Sequence, residues 1–270
     1  MSAERELQEA CVEAARRGGA VLRERWGKPR TVELKGKIDL VTDADRASEA
    51  AVLGWLAQRF PGAAVLAEES GARGAAGGGL RFIVDPLDGT TNYAHGLPIF
   101  AVNVAVADDR GLAAGATYDP IRDELFTSAR GHGAFLRCGG GGETRLAPSG
   151  REGLKNALLV TGFPYDIHTN HEPTLRLFGA FVTRARGVRR LGSAALDLAS
   201  VASGRLDGFW EERLKPWDIA AGILLAREAG AVVTDHDGGD RMLETGDILA
   251  ATPALHGPML EVIREVRGAR

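Results

Sequence analysis

The stretch DPLDGTTNY, residues 85–93, follows LRFIV, an apolar run that reads as a buried strand. Asp85 and Asp88 stand three residues apart, across a proline that stiffens the turn. Carboxylates at the end of a buried strand are costly unless they are paired or bind a metal. Local cations are few: Arg81 lies upstream on the strand, and no Lys or Arg follows until Arg110. A hard divalent cation, which takes oxygen ligands, relieves the repulsion best. The next piece, GTTN, offers a glycine amide and hydroxyls where a helix or turn begins, which suits an anion such as phosphate. Metal and anion in one place point to phosphoryl chemistry, where the metal activates water and neutralises leaving-group charge. The plainer reading is that two Asp in a turn simply hydrogen-bond their own backbone.

Three other acidic segments bear on that choice. LAEES puts Glu68 and Glu69 at the end of the preceding strand, where one sheet edge could bring Glu68 beside Asp85. Glu69 reads better as part of a solvated loop. KPWDIAAG puts Asp218 in the first turn of an apolar helix, where the helix dipole alone favours an acid. Asp45 has capping-box spacing to Thr42, which by itself accounts for it. Sequence does not show whether these acids converge.

The elements that must position them follow from periodicity. Residues 4–26 place Leu7, Cys11, Ala14, Gly18, Val21 and Leu22 on one helical face. A second helix is expected over about 43–60, with Leu53, Leu56 and Phe60 inward and FPG as its stop. AAVLAE reads as a short strand, and SGARGAAGGG as a flexible loop. Residues 99–136 are all strand in pattern: IFAVNVAVA, LAAGATYDP, DELFTSA and GAFLRC. GGGGETRLAPSG is a second loose segment and the natural boundary between an N-terminal α+β half (about 1–140) and a C-terminal α/β half (about 151–270) of one domain. In the second half, ALLVTGFP and DGFWEE read as strands and 172–186 and 193–203 as helices. A helix over 216–229 has Pro in its first turn and Gly230 just past its end. AVVTD, DILAAT and a helix over 253–267 close the chain. Mixed helix and antiparallel strand imply a layered α/β or α+β fold, not a Rossmann alternation.

Composition excludes several classes. Of 270 residues, 44% are hydrophobic and 26% charged, as in a folded enzyme-sized chain. The formal net charge is −3 with no long basic run, which disfavours nucleic-acid binding. The two cysteines, Cys11 and Cys138, form no CxxC pair, so a disulfide framework or zinc site is not expected and a reducing cytoplasm is. MSAERELQEA, with three Glu, does not read as a signal peptide. No stretch has the ~20 apolar residues that cross a bilayer.

Taken together, DLVTDAD, AEES, DPLDGTTNY and KPWDIAAGILLAREAGA, in that order, resemble the inositol monophosphatase family of Mg²⁺-dependent, lithium-sensitive phosphatases. TGFPYD and RRLGSAALDLASVASGRLDGFWE look like the bacterial branch, and the resemblance covers nearly the whole chain. It implies a five-layer α-β-α-β-α sandwich, usually a homodimer. It implies that Glu68, Asp85 and the Leu87 carbonyl hold a first Mg²⁺ and that Asp85, Asp88 and Asp218 hold a second, with Glu68 also serving a weaker third site through water. Thr90, bonded to Asp45, would help activate the water, so Asp45 has a capping and a catalytic reading. The amides of Gly89 and Thr90 would face the phosphate. Asp88, Ala194 and Glu211 would line the polyol end, with Gly192 and Ser193 shaping that wall. Lys35 and Asp39, with Lys37 as an alternative basic position, resemble a mobile entrance loop. Ala67 stands where many relatives have Gly.

Several neighbours read as structural. His95 is a loop histidine with no phosphohistidine role implied. Strand alternation lets Glu211 face the site while Glu212 faces water. Trp210 and Trp217 read as packing, and Lys215 as surface. The expected activity is hydrolysis of inositol 1-phosphate or a similar polyol phosphate. Fructose 1,6-bisphosphate, histidinol phosphate, 3′-phosphonucleotides and NADP are rival substrates for the same metal site. A second class is a regulatory protein that keeps the fold and binds other proteins or the transcription machinery. Against that as a sole role, every expected metal-ligand position still carries its carboxylate.

Overall fold

The structure, a computed structural model, describes residues 2–28, 32–34, 40–74, 79–139 and 141–268. Lys35, Lys37 and Asp39 lie outside the described residues. The N-terminal part runs α1 (Ala3–Arg25), β1 (Val32–Leu34), β2 (Leu40–Thr42), α2 (Asp43–Arg59), β3 (Ala64–Ala67), β4 (Gly71–Arg73), β5 (Arg81–Asp88) and α3 (Thr90–His95). Then come β6 (Ala101–Asp108), β7 (Gly111–Asp119), β8 (Glu124–Ala129), β9 (Gly133–Cys138) and β10 (Glu143–Arg145). The rest is β11 (Leu158–Thr161), α4 (Glu172–Val182), β12 (Gly187–Arg189), α5 (Ala194–Ala202), β13 (Gly208–Glu211), α6 (Pro216–Ala229), β14 (Val232–Thr234), α7 (Met242–Thr245), β15 (Ile248–Ala251) and α8 (Pro253–Gly268).

An eight-stranded sheet, ordered β10-β9-β8-β7-β6-β5-β3-β4, and a five-stranded sheet, ordered β12-β11-β13-β15-β14, form two of five layers. α1 and α2 cover the outer face of the large sheet, α5 and α6 lie between the sheets, and α4 and α8 cover the small sheet. The five-layer α-β-α-β-α sandwich expected from the family resemblance is what the chain forms. Strand alternation sets which residues face which layer. Phe82, Val84, Val102, Val104 and Val106 pack with Cys11, Leu22 and Leu56 under α1 and α2. Ile83 and Ala105, one residue out of step, pack with Ala220 and Ala221 of α6. On the far side, Trp210 stacks on Phe181 of α4 with ring centroids 4.1 Å apart. It packs there with Leu255 and Met259 of α8, as its packing reading required.

Two segments expected as loose carry strands. Gly71–Arg73 pairs antiparallel with β3, and Glu143–Arg145 pairs with β9. Each is a three-residue edge strand, too short for periodicity to reveal, and its backbone pairing comes from a neighbour rather than from propensity. The helix expected over 172–186 ends at Val182, because the chain must turn into β12, which starts at Gly187.

Candidate functional site

β3 and β5 run parallel, with Ala67 opposite Val84, so both strands end at the same sheet edge. Ala67 and Val84 point toward α1 and α2. Glu68, whose amide donates to Val84 O at 3.2 Å, and Asp85 each follow by one residue and therefore belong to the α6 side. Asp88 should not join them, since residues three apart on a regular strand face opposite ways. A bulge resolves this: Asp85 pairs with Asn103 and Asp88 with Ala101, so three steps on β5 match two on β6. The extra residue returns Asp88 to the face of Asp85. Pro86 suits the bulge because it has no amide to leave unpaired, and its carbonyl accepts from the buried Ser48 Oγ at 2.8 Å.

Past the strand, Gly89 adopts φ 95°, and a Cβ there would lie 2.9 Å from Ile99 O, so only glycine makes this turn. α3 then starts at Thr90. Tyr93 anchors that helix, its hydroxyl donating to Leu22 O of α1 at 3.1 Å. Asn92 ties it to the second half of the molecule, with Nδ2 within 2.8 Å of both Ile99 O and Leu191 O. This joint brings Gly192 and the N-terminus of α5 over the acids. Asp88 Oδ2 accepts from Ser193 Oγ at 2.5 Å and from Ala195 N at 2.8 Å, so Asp88 closes the first turn of α5.

α6 supplies Asp218 from the other side. Its Oδ2 accepts from Lys215 N at 2.7 Å, a capping contact that adds to the dipole preference. Asn103 holds this helix start against the sheet, Nδ2 lying 2.7 Å from Trp217 O and 3.2 Å from Asp218 O. Thus Asp218 both caps its helix and faces the other acids. Burial, and then repulsion from Glu68, Asp88 and Asp218, raises the Asp85 carboxyl well above the usual carboxylate range. Asp218 is raised in the same sense, by burial and then by Asp88. Asp88 is pushed up to about 6 by burial, against the pull of Ser193 and the α5 amides. Among the described residues no Lys or Arg side chain hydrogen-bonds to Asp85, Asp88 or Asp218. Converging hard oxygen donors with mutual repulsion and no protein cation between them fit a divalent ion.

Thr90 and Asp45 meet as well. Asp45 is fully buried. Its Oδ2 accepts from Thr42 N at 2.8 Å and from Thr42 Oγ1 at 2.6 Å, while Oδ1 accepts from Thr90 Oγ1 at 2.9 Å. The capping reading and the Thr90 reading therefore hold together, one through each oxygen. Thr90 Oγ1 also lies 3.0 Å from Leu87 O. The Leu87 side chain is buried in the outer core, leaving only its carbonyl for the site.

A cavity of about 240 Å³ opens above the acids, lined by Asp88, Gly89, Thr90, Ser193, Ala194, Glu211 and Asp218, among others. Glu211, at the end of β13, is buried and pushed up to about 8, chiefly by burial. Its carboxylate lies against Gly162, where a Cβ would come within 2.1 Å of both oxygens. Glu212 is half-buried instead of facing water: it accepts from Thr174 Oγ1 at 3.2 Å and from Arg267 at 3.3 Å. Glu69 likewise is half-buried, its amide donating to Glu49 Oε2 at 2.9 Å. Lys215 is exposed, as expected of a surface residue, yet lines the cavity mouth. His95 is exposed and away from it. Sequence reasoning missed Ser48, Asn92, Asn103, Gly162, Arg190 and Asp197. Asn92 stands inside the central motif and Arg190 and Asp197 inside the RRLGSAALD stretch, so motif position was the available signal.

A second acidic group lies apart from this site. Glu212, His236 and Asp247 have donor atoms within 4.8 Å of one another. Arg267 already fills the space between them, donating to Asp247 at 2.6 Å and reaching His236 Nδ1 at 3.0 Å. That group is an ion-pair network with its cation built in. The adjoining cavity of about 700 Å³ includes Glu212 and Arg267 but none of the expected site residues.

With this geometry in place, comparison with known proteins is decisive: residues 3–267 match the sequence pattern of the inositol monophosphatase family. The chain belongs to that family. It is 42% identical over 266 residues to an inositol-1-monophosphatase of Mesorhizobium japonicum, covering 98% of each chain. It is 40% identical over 256 residues to the Nus factor SuhB of Escherichia coli (strain K12), covering 94% of each. The crystal structure of the extragenic suppressor protein suhB from Bartonella henselae superposes with a TM-score of 0.89 at 40% identity, over 95% of this chain and 98% of that one. Family membership and the match to an inositol-1-monophosphatase support an inositol monophosphatase-type phosphatase. No helix among the described residues is long and apolar enough to cross a membrane.

Proposed function

We propose that this member of the family is a Mg²⁺-dependent phosphomonoesterase that hydrolyses inositol 1-phosphate or a closely related polyol phosphate, with the whole chain acting as one domain. The observation that carries this is the bulge that turns Asp85 and Asp88 to one face, toward Asp218 and beside Glu68. Glu68, Asp85 and the Leu87 carbonyl would hold one Mg²⁺, and Asp85, Asp88 and Asp218 a second, with Glu68 serving a weaker third. Ions bound there supply Lewis acidity toward the phosphoryl group and lower the pKa of water.

The chain's own groups do the rest. Asp88 Oδ2 is committed to Ser193 and Ala195, and Asp218 Oδ2 to Lys215 N, so each carboxylate is held in one orientation with its Oδ1 left for ligation. The amides of Gly89 and Thr90 face the phosphoryl oxygens. Thr90 Oγ1 gives its own proton to Asp45 Oδ1, which leaves its lone pairs to accept a proton from the attacking water. The water oxygen bonds to phosphorus as the ester P–O bond breaks, its proton passes by way of Thr90 Oγ1 to Asp45, and the departing alkoxide takes up a proton from solvent. Gly192, Ser193 and Ala194 shape the wall beside the leaving group, where Glu211 accepts a polyol hydroxyl. A cytoplasmic homodimer inhibited by Li⁺ belongs to the same reading, checked by light scattering and Li⁺ titration.

A screen of phosphomonoesters with and without Mg²⁺ tests the proposal. Asp88→Asn should lose ~10²–10³-fold or more in turnover while the fold survives. Full turnover by that variant would defeat the metal-site assignment, and a strong preference for a 3′-phosphonucleotide would defeat the polyol assignment. The likeness to proteins named Nus factor SuhB supports a regulatory, protein-binding role alongside hydrolysis. Asp88→Asn should leave such binding intact.

A further inference from the structure

The leaving-group end of the cavity holds a second carboxyl group. Asp197, in the first turn of α5, is 1% exposed, yet it lines the cavity with Glu211. Its Oδ1 is buried with no hydrogen-bond partner. Glu211 likewise receives no hydrogen bond from the described residues. The two acids repel each other, and the cation acting on both is Arg190. The Arg190 guanidinium is 5.8 Å from the Phe163 ring centroid, and a Cβ on Gly192 would come within 2.7 Å of its Nη1. Buried polar atoms are nearly always paired, and the exceptions ask for an explanation. Asp197 does not cap its own helix, because Ser193 Oγ and Asp88 Oδ2 already take the Leu196 and Ala195 amides. Nor is it a packing residue, since a carboxyl makes a poor filler beside Leu196 and Leu198.

We propose that Asp197 is a specificity-determining residue that accepts a hydrogen bond from a second hydroxyl of the leaving group, next to the one taken by Glu211. This rests on the phosphomonoesterase reading and sharpens it. Two adjacent carboxyl groups without a protein hydrogen-bond partner among the described residues call for a ligand rich in hydroxyl donors, so the substrate class is a polyhydroxylated monophosphate. An aryl ester or a nucleobase-bearing phosphate offers few such donors. Arg190 at the rim limits the net charge of the pair without closing it off, because it is exposed.

The test compares wild type, Asp197→Asn and Asp197→Ala in Mg²⁺ on inositol 1-phosphate and on 4-nitrophenyl phosphate, which carries no hydroxyl. The ratio of the two kcat/KM values should fall about ten- to a hundredfold in Asp197→Ala, the cost of leaving a buried hydroxyl unpaired, and less in Asp197→Asn, whose amide oxygen still accepts. The fall should appear mainly as a higher KM for inositol 1-phosphate. Without substrate, Asp197→Asn should melt no lower than wild type, since it removes a buried acid that Glu211 repels. An unchanged ratio, or a parallel loss on both substrates together with a lower melting temperature, would overturn the inference. A wild type that hydrolyses neither ester would instead sink the phosphatase reading itself. One that hydrolyses only the aryl ester would overturn the polyol class while leaving hydrolysis standing.

Discussion

Stripping divalent ions and raising the pH should destabilise this protein in a window set by Asp88. Its carboxyl is raised from 3.8 to about 6 in the folded, metal-free chain, chiefly by burial. The folded state therefore holds that proton more tightly than the unfolded state does. The associated stability is present below about pH 4, declines as pH rises, and is gone above about pH 6. Two pKa units at about 1.4 kcal/mol each set a ceiling of about 3 kcal/mol. Asp88 is half-buried and opens on the cavity, so water trims this to about 1.5–3 kcal/mol. At about 2–4 °C per kcal/mol for a chain of this size, the melting temperature should drop by about 3–12 °C from this group. The assay is thermal unfolding in chelator at steps from pH 4 to 8, for wild type and Asp88→Asn, whose difference isolates Asp88. Mg²⁺ at about 100 times its dissociation constant should return about 2.7 kcal/mol to wild type at pH 7.5, and far less to the variant. A metal-free wild type whose stability holds level across the window relative to Asp88→Asn, and gains nothing from Mg²⁺, would refute the picture of repelling acids awaiting a cation.

Asn92→Leu should cost about 2–3 kcal/mol, read by denaturant unfolding, because the Ile99 and Leu191 carbonyls lose their donor. Thr90→Val should lower kcat by about 10²-fold or more with the melting temperature held within a few degrees, whereas Thr90→Ser, which keeps the hydroxyl, should restore most of it. Gly162→Ala places a methyl where the Glu211 carboxylate lies. It should raise KM for a polyol phosphate about tenfold or more, and a crystal structure should show Glu211 displaced. Phe181→Ala removes the partner of Trp210 behind the substrate wall and should cost about 3–5 kcal/mol, measured calorimetrically.

Chemistry was legible where residue type and local punctuation coincide. Acids after LRFIV, after AVLA and in the first turn of PWDIAAG lie where apolar elements end, and burial pressure makes carboxylates improbable there without a purpose. Helices α1, α2, α6 and α8 were legible for the same local reason, their caps and stops lying within a few residues. What tertiary structure decided is which of these residues meet. Spacing by three sends Asp88 away from Asp85 on any regular strand, and only pairing with β6 creates the bulge that turns it back. Asp45 looked like a choice between a cap and a partner for Thr90 until α3 came close enough for each oxygen to take one of the two bonds. Glu212 found Arg267, 55 positions along the chain, and so left solvent. Asp197 sat unnoticed in an apolar helix, because an empty lone pair is a property of surroundings and not of sequence. Local signals specify elements, since propensity and capping act over one or two turns. Sites are assembled by contacts between distant segments, and those exist only once the layers have packed.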